Sequence, residues 1–231
     1  MKNSNLDKEL MAAVWSPGIK DSPLKFVKFI FEWDKPGTPL EGFKGPRKWQ
    51  EKILLDLERH IARNQGNLDP EMFRQAVASG RGIGKSALVA WIILWMLSTR
   101  LGSTTIVTAN TEQQLRSRTW AELGKWLTLS INGYWFKKAA TTIRPTAWFE
   151  EALKKDLKID TGYYYAQAQL WSEESPDAFA GVHSNYGICL IMDEASGIPG
   201  PIYSVSEGFF TEPTADRYWF CLLYTSDAAD D

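Results

Sequence analysis

The sequence predicts an α/β fold, with a mainly parallel central sheet flanked by helices. Two observations carry that reading. Short apolar segments, FRQAVAS (73–79), STTIVTA (103–109), GYYYAQAQLWS (162–172) and YGICLIMDEA (186–195), alternate with longer helical stretches. Strands separated by helices of this length pair in parallel and are covered on both faces. The last of these segments is apolar over almost its whole length, as a strand buried on both faces must be.

Each element follows in order. Residues 1–45 are punctuated by Pro17, Pro23, Pro36 and Pro39, with Pro46 just beyond, and hold one apolar patch, LKFVKFIFEW. This segment reads as an arm or small lid rather than a core layer. From Arg47 the pattern turns helical, with Trp49, Ile53, Leu54, Leu57 and Ile61 at three- to four-residue steps. FRQAVAS alternates apolar and polar positions and runs into a glycine-rich loop. KSALVAWIILWMLSTRL follows as a helix whose apolar run, Ala87 to Leu97, is too short to span a bilayer and reads as buried. STTIVTA is the next strand and TEQQLRSRTWAELGKWLTL (111–129) the next helix. No internal repeat or low-complexity tract interrupts the series.

Composition sets the outer bounds. The 231 residues suit one large domain or a domain with an arm, and 44% hydrophobic against 23% charged residues is ordinary for a soluble protein with a real core. Eleven tryptophans suit an aromatic core or a partner surface. A net charge of −2 means that any nucleic-acid surface has to be local. Cys189 and Cys221 have no metal spacing, which points to a reducing compartment without a structural disulfide. His60 and His183 have no partners at ligand spacing, so no zinc site is expected. The N-terminus lacks the layout of a signal peptide.

The loop VASGRGIGKSALVAW (77–91) carries the chemistry. A dinucleotide fingerprint needs G-x-G-x-x-G, and Gly80, Gly82 and Gly84 are one residue too close for it. No acidic residue closes STTIVTA to hold a ribose, so that reading fails twice. The triphosphate loop G-x-x-x-x-G-K-[ST] fits Ser79 to Ser86, with Ser79 replacing the first glycine and Arg81 and Ile83 in variable positions. Its backbone N–H groups would curl round a phosphate at a helix N-terminus. Lys85 would face the β- and γ-phosphates, and Ser86 would offer its hydroxyl to Mg²⁺.

A second half-site is required, an apolar strand ending in acids, and ICLIMDEA supplies it. Asp193 would hold Mg²⁺ through water, and Glu194 would orient and deprotonate the attacking water. A glutamate directly after the aspartate favours hydrolysis over transfer to a second substrate. The fold class therefore narrows to a P-loop NTPase, RecA/ASCE-like, and the activity to an ATPase using ATP and Mg²⁺.

The segments SGRGIGKSALVAWIILWMLSTR, TIVTANTEQQLRSRTWAELGKW, SPDAFAGVHS and LIMDEASGIP occur in that order. Together they resemble the ATPase domain of the large terminase subunit, the DNA-packaging motor of tailed bacteriophages and prophages. The resemblance covers roughly residues 45–220, with a serine at the first loop position usual for such motors. It implies an ATPase domain over 46–220, incomplete at its C-terminal end. Arg81 matches an arginine used in cis as an arginine finger, with a structural arginine as the alternative. Gln50 matches an adenine-reading glutamine, with an exposed helix glutamine as the alternative. The resemblance also implies double-stranded DNA, a portal protein and a small terminase subunit as partners, a homo-oligomeric ring, no membrane, and the bacterial host cytoplasm. The RNase H-like nuclease domain of such proteins and their coupling motif have no counterpart in this sequence. Residues 221–231, CLLYTSDAADD, resemble the translation of a transposase-end sequencing adaptor, so a natural protein continuing past Phe220 is expected.

Arg116 and Arg118, and Lys137 with Lys138, are the candidates for DNA phosphate contact. Two rival functions stand beside the packaging motor. DEAS lies close to the helicase DEAD pattern, which would make this a helicase-like translocase fragment needing a second RecA-like domain. A non-hydrolysing, nucleotide-gated binding module is the other, and an intact Lys85, Ser86, Asp193 and Glu194 set argues against it.

Overall fold

The computed structural model describes residues 5–80 and 82–224, without the side chains of Ser79, Ala180 and Tyr224. Arg81 and residues 225–231 of the expected tail therefore lie outside the described residues. The chain runs through α1 (Asn5–Val14), α2 (Pro17–Lys20), α3 (Pro23–Ile30), α4 (Lys48–Asn64), β1 (Phe73–Ser79), α5 (Lys85–Thr99) and β2 (Thr104–Thr108). It continues through α6 (Glu112–Gln114), a π-helical turn (Leu115–Trp120), α7 (Ala121–Leu129), β3 (Phe136–Lys138), β4 (Thr142–Pro145), α8 (Ala147–Leu157) and β5 (Tyr165–Ala168). The last elements are β6 (Ile188–Met192), α9 (Gly200–Ser206) and β7 (Arg217–Tyr224).

Among the described residues these strands form one seven-stranded sheet in the order β1-β7-β6-β2-β5-β4-β3. The pairs from β1 through β5 are parallel, and β4 and β3 add an antiparallel edge. The predicted α/β class with a mainly parallel sheet stands. One strand, β7, separates the strand leading into the glycine loop from the strand ending in Asp193. β2 and β6 are buried along their whole length, β6 as its continuous apolar character requires.

α5 explains most of the packing. A helix apolar on every side has to be covered on every side, and each residue from Leu88 to Thr99 is buried. The sheet covers one flank and α7 another, and the N-terminal segment covers the rest. That segment is therefore no arm or lid. Val14, Phe26, Val27, Ile30 and Phe31 belong to the same core as α5 and the sheet. Trp15 and Trp95 donate their indole N–H groups to the carbonyls of Ser98 and Lys20, at 3.0 and 2.9 Å. Phe31, Trp91 and Trp126 pack edge-on, with Phe31 and Trp91 at 4.8 and 5.0 Å from Trp126. Much of the tryptophan content is thus core. The Arg100 guanidinium locks the assembly by pairing with Asp21 at 3.1 Å and Asp216 at 2.8 Å.

β7 lies between β1 and β6. The strand does not stop at Phe220 but runs on through Cys221, Leu222 and Leu223 beside β1, with Leu222 buried. The two leucines extend the apolar strand, and the parallel edge of β1 offers them backbone partners.

Candidate functional site

Because β1, β7, β6 and β2 are parallel, their C-terminal ends share one edge of the sheet, where ligands of open α/β sheets bind. β1 delivers Gly80 and the glycine loop to this edge. Gly82 and Gly84 adopt φ 75° and 94°, the left-handed region in which a side chain is strained. Gly84 is the N-cap of α5 and makes no side-chain cap, so the first N–H groups of the helix are not satisfied by a capping residue. Lys85 opens the helix, is buried, and donates from Nζ to the Leu223 carbonyl at 3.0 Å. Ile83 and Ser86 are half-buried.

Gln50 sits under this loop. It is buried, not an exposed helix residue; its Nε2 donates to the Gly84 carbonyl at 2.9 Å and its Oε1 accepts from the Arg47 N–H at 2.8 Å. Nε2 thus ties α4 to the loop, while Oε1 caps the start of α4 itself. A Cβ on Gly84 would stand 3.0 Å from Gln50 Nε2, a second reason for glycine there.

Two strand spacings away, about 10 Å across the sheet, β6 ends in the acidic pair. Asp193 is buried and continues the ladder, its N–H donating to the Thr108 carbonyl at 2.8 Å. Its Oδ2 accepts from the Thr119 hydroxyl at 2.6 Å and its Oδ1 from the Glu194 N–H at 3.0 Å. Glu194 turns the chain in the left-handed region at φ 54° and ψ 41°, a conformation costing a non-glycine residue about 1–2 kcal/mol. Such strain persists only where the surroundings hold it. Here Asn110 Nδ2 donates to the Glu194 carbonyl at 3.1 Å, and Arg118 pairs with Glu194 Oε1 at 3.0 Å. The Tyr203 hydroxyl, pushed up to about 12 chiefly by burial, stays protonated and donates to the Ala195 carbonyl at 2.7 Å.

The predicted residues thus divide. Lys85, Ser86 and the glycine loop lie at the same edge as Asp193 and Glu194. Arg118, read from the sequence as a candidate DNA contact, instead holds Glu194, while Arg116 pairs with Glu112 at 2.7 Å on the surface. Lys137 and Lys138 are exposed on β3 at the far end of the sheet from the loop. Thr119 and Asn110, which contact the acidic pair, are positions that the sequence reading missed. The only sequence signal is placement: Asn110 lies two residues past a strand end, and Thr119 lies in the helix that follows. The π-helical turn, a feature frequent at functional sites, presents the neighbours Arg118 and Thr119 to the neighbours Glu194 and Asp193.

These residues fit a nucleotide phosphate with Mg²⁺. The loop brings the first backbone N–H groups of α5 and the Lys85 ammonium together at a helix N-terminus. Asp193 keeps unused lone pairs on both carboxylate oxygens after its two hydrogen bonds. Among the described residues no group of three or more His, Cys, Asp or Glu side chains is placed to hold a metal ion. A Mg²⁺ here would rely on Ser86, Asp193, phosphate oxygens and water, as this ion commonly does. Among the described residues no helix is long and apolar enough to cross a membrane.

No family model and no curated protein matches the chain. Among solved structures it is similar to the large terminase of a thermophilic bacteriophage in complex with ADP, at 15% identity and a TM-score of 0.45, over 69% of this chain and 40% of that one. It is also similar to the Thermus phage P74-26 large terminase ATPase domain, at 17% identity and a TM-score of 0.42, over 71% of this chain and 62% of that one. The chain spans less than two thirds of the length of either.

Proposed function

We propose that this chain is an ATP-hydrolysing motor domain of the phage large terminase kind, which drives double-stranded DNA into procapsids. The observation that supports the ATPase half is the meeting of the Lys85 helix start and the Asp193–Glu194 turn on one sheet edge, with only β7 between their strands. The packaging half rests on the four sequence segments and their order. Portal protein, small subunit, ring assembly and the bacterial host cytoplasm belong to the same proposal.

In this reading the N–H groups of Gly80 to Ser86 bind the phosphates, and Lys85 moves its ammonium from the Leu223 carbonyl towards the β- and γ-phosphates. Ser86 and Asp193 hold Mg²⁺, which when bound neutralises charge on the phosphate oxygens. Glu194 accepts the proton of the water attacking the γ-phosphorus, which requires its carboxylate to leave Arg118. Thr119 keeps the Asp193 carboxylate in one orientation. Arg81 is the proposed cis arginine finger.

ATP turnover of two variants tests the assignment. Glu194→Gln keeps ATP and Mg²⁺ binding and loses hydrolysis by roughly 10²–10⁴. Asp193→Asn raises the Mg²⁺ concentration needed for turnover. The same mild defect in both variants overturns the roles. Stimulation of turnover by duplex DNA tests the packaging half, and its absence in a chain that hydrolyses ATP leaves the ATPase reading alone.

A further inference from the structure

Glu194 has a main-chain problem that its side-chain pairing does not solve. Its left-handed backbone is fastened by three hydrogen bonds: from its own N–H to Asp193 Oδ1 at 3.0 Å, and to its carbonyl from the Gly197 N–H at 3.1 Å and from Asn110 Nδ2 at 3.1 Å. The first two lie inside the turn and move with it. The third crosses from the end of β2 and ties the turn to the sheet.

Gly197 belongs to the same arrangement. A Cβ there would lie 2.3 Å from Asn110 Nδ2 and 2.8 Å from its Cγ, contacts no side chain tolerates. Gly197 does not adopt a positive φ, so its backbone does not call for glycine. The lack of a side chain makes room for the Asn110 amide.

We propose that Asn110 is a positioning residue for Glu194, holding the carbonyl of the strained turn so that the carboxylate leaves it in one direction, and that Gly197 is the space this requires. The inference rests on the reading of Glu194 as the base in ATP hydrolysis. A displacement of about 1 Å in a reacting group costs on the order of 10²-fold in rate. The clamp touches no substrate, so it acts on turnover and not on nucleotide binding.

The test is a double-mutant cycle on the full chain, with single-turnover ATP hydrolysis, ATP affinity and thermal melting as readouts. Asn110→Ala lowers kcat by about 10- to 100-fold with ATP affinity unchanged. Gly197→Ala gives the same split, because the new methyl displaces an amide that is still present. The double variant is no slower than Asn110→Ala alone, since the shortened side chain admits the methyl. By the same logic Gly197→Ala lowers Tm in the native background and not in the Asn110→Ala background. A normal kcat in either single variant, additive losses in the double, or a fall in Tm without a fall in kcat overturns the role of Asn110. A parent chain that neither binds nor hydrolyses ATP overturns the functional reading, and this inference with it.

Discussion

Arg118 and Glu194 form an ion pair at 3.0 Å in which the arginine is largely in solvent, with 59% of its side chain exposed against 15% for the glutamate. A pair with one partner this exposed contributes about 0–1 kcal/mol to stability and weakens with salt. Arg118→Ala is therefore expected to change the urea-unfolding free energy by less than about 1 kcal/mol and to leave ATP affinity unaltered. A loss several times larger would mean that the arginine supports the fold, not the carboxylate.

Lys85→Ala removes the described cation at the start of α5. Hydrogen bonds to a charged group contribute about 1.5–3 kcal/mol, so ATP affinity should fall about 10- to 100-fold by fluorescence titration. Equal affinity in parent and variant would rule out the triphosphate loop.

Thr119→Val keeps the shape and removes the hydroxyl that donates to the buried Asp193 carboxylate at 2.6 Å. Leaving that oxygen without its donor is expected to cost about 1–3 kcal/mol in urea unfolding, and Thr119→Ser should restore most of it. Calorimetric titration with Mg²⁺ and nucleotide should show weaker metal dependence in the valine variant alone. Two variants equally stable and equally responsive to Mg²⁺ would remove Thr119 from the site.

His60 links stability to pH. Burial first, and Arg63 second, hold its pKa below the ordinary imidazole value, and its Nε2 accepts from Asn64 Nδ2 at 2.9 Å. The unfolded chain therefore binds a proton at higher pH than the folded one. Stability from this residue is complete above about pH 6.5 and falls as the pH drops below it, by at most about 1.4 kcal/mol per unit. Urea unfolding at pH 7.5 and 5.5 should show a steeper loss in the parent than in His60→Gln. Parallel losses would place the acid sensitivity elsewhere.

Much of the fold was legible because its signals are local. β1, α5, β2 and β6 lie where alternation and apolar runs placed them, within three residues at every end. The N-terminal segment was misread because prolines mark turns without saying whether the pieces between them are covered. The signal lies elsewhere in the sequence: α5 is apolar on all sides and could not be left bare on one. β5 is shorter than GYYYAQAQLWS because aromatic content marks a strand candidate but not its hydrogen-bonded length. Gln50 was recognised but not its buried place under Gly84, which depends on how α4 docks.

What the sequence determined by itself is chemistry carried by neighbours in the chain: the glycines before Lys85 and Ser86, the acids closing an apolar strand, and the alternation that makes a parallel sheet. The tertiary structure alone decided which groups serve those residues. Arg118 and Thr119 reach Glu194 and Asp193 across 76 and 74 positions of sequence, and Asn110 reaches the Glu194 carbonyl across 84. Periodicity reports which face of an element is buried, not which element stands opposite. That choice is made when β2 pairs beside β6 and brings the end of one strand, and the helix after it, against the turn that ends the other.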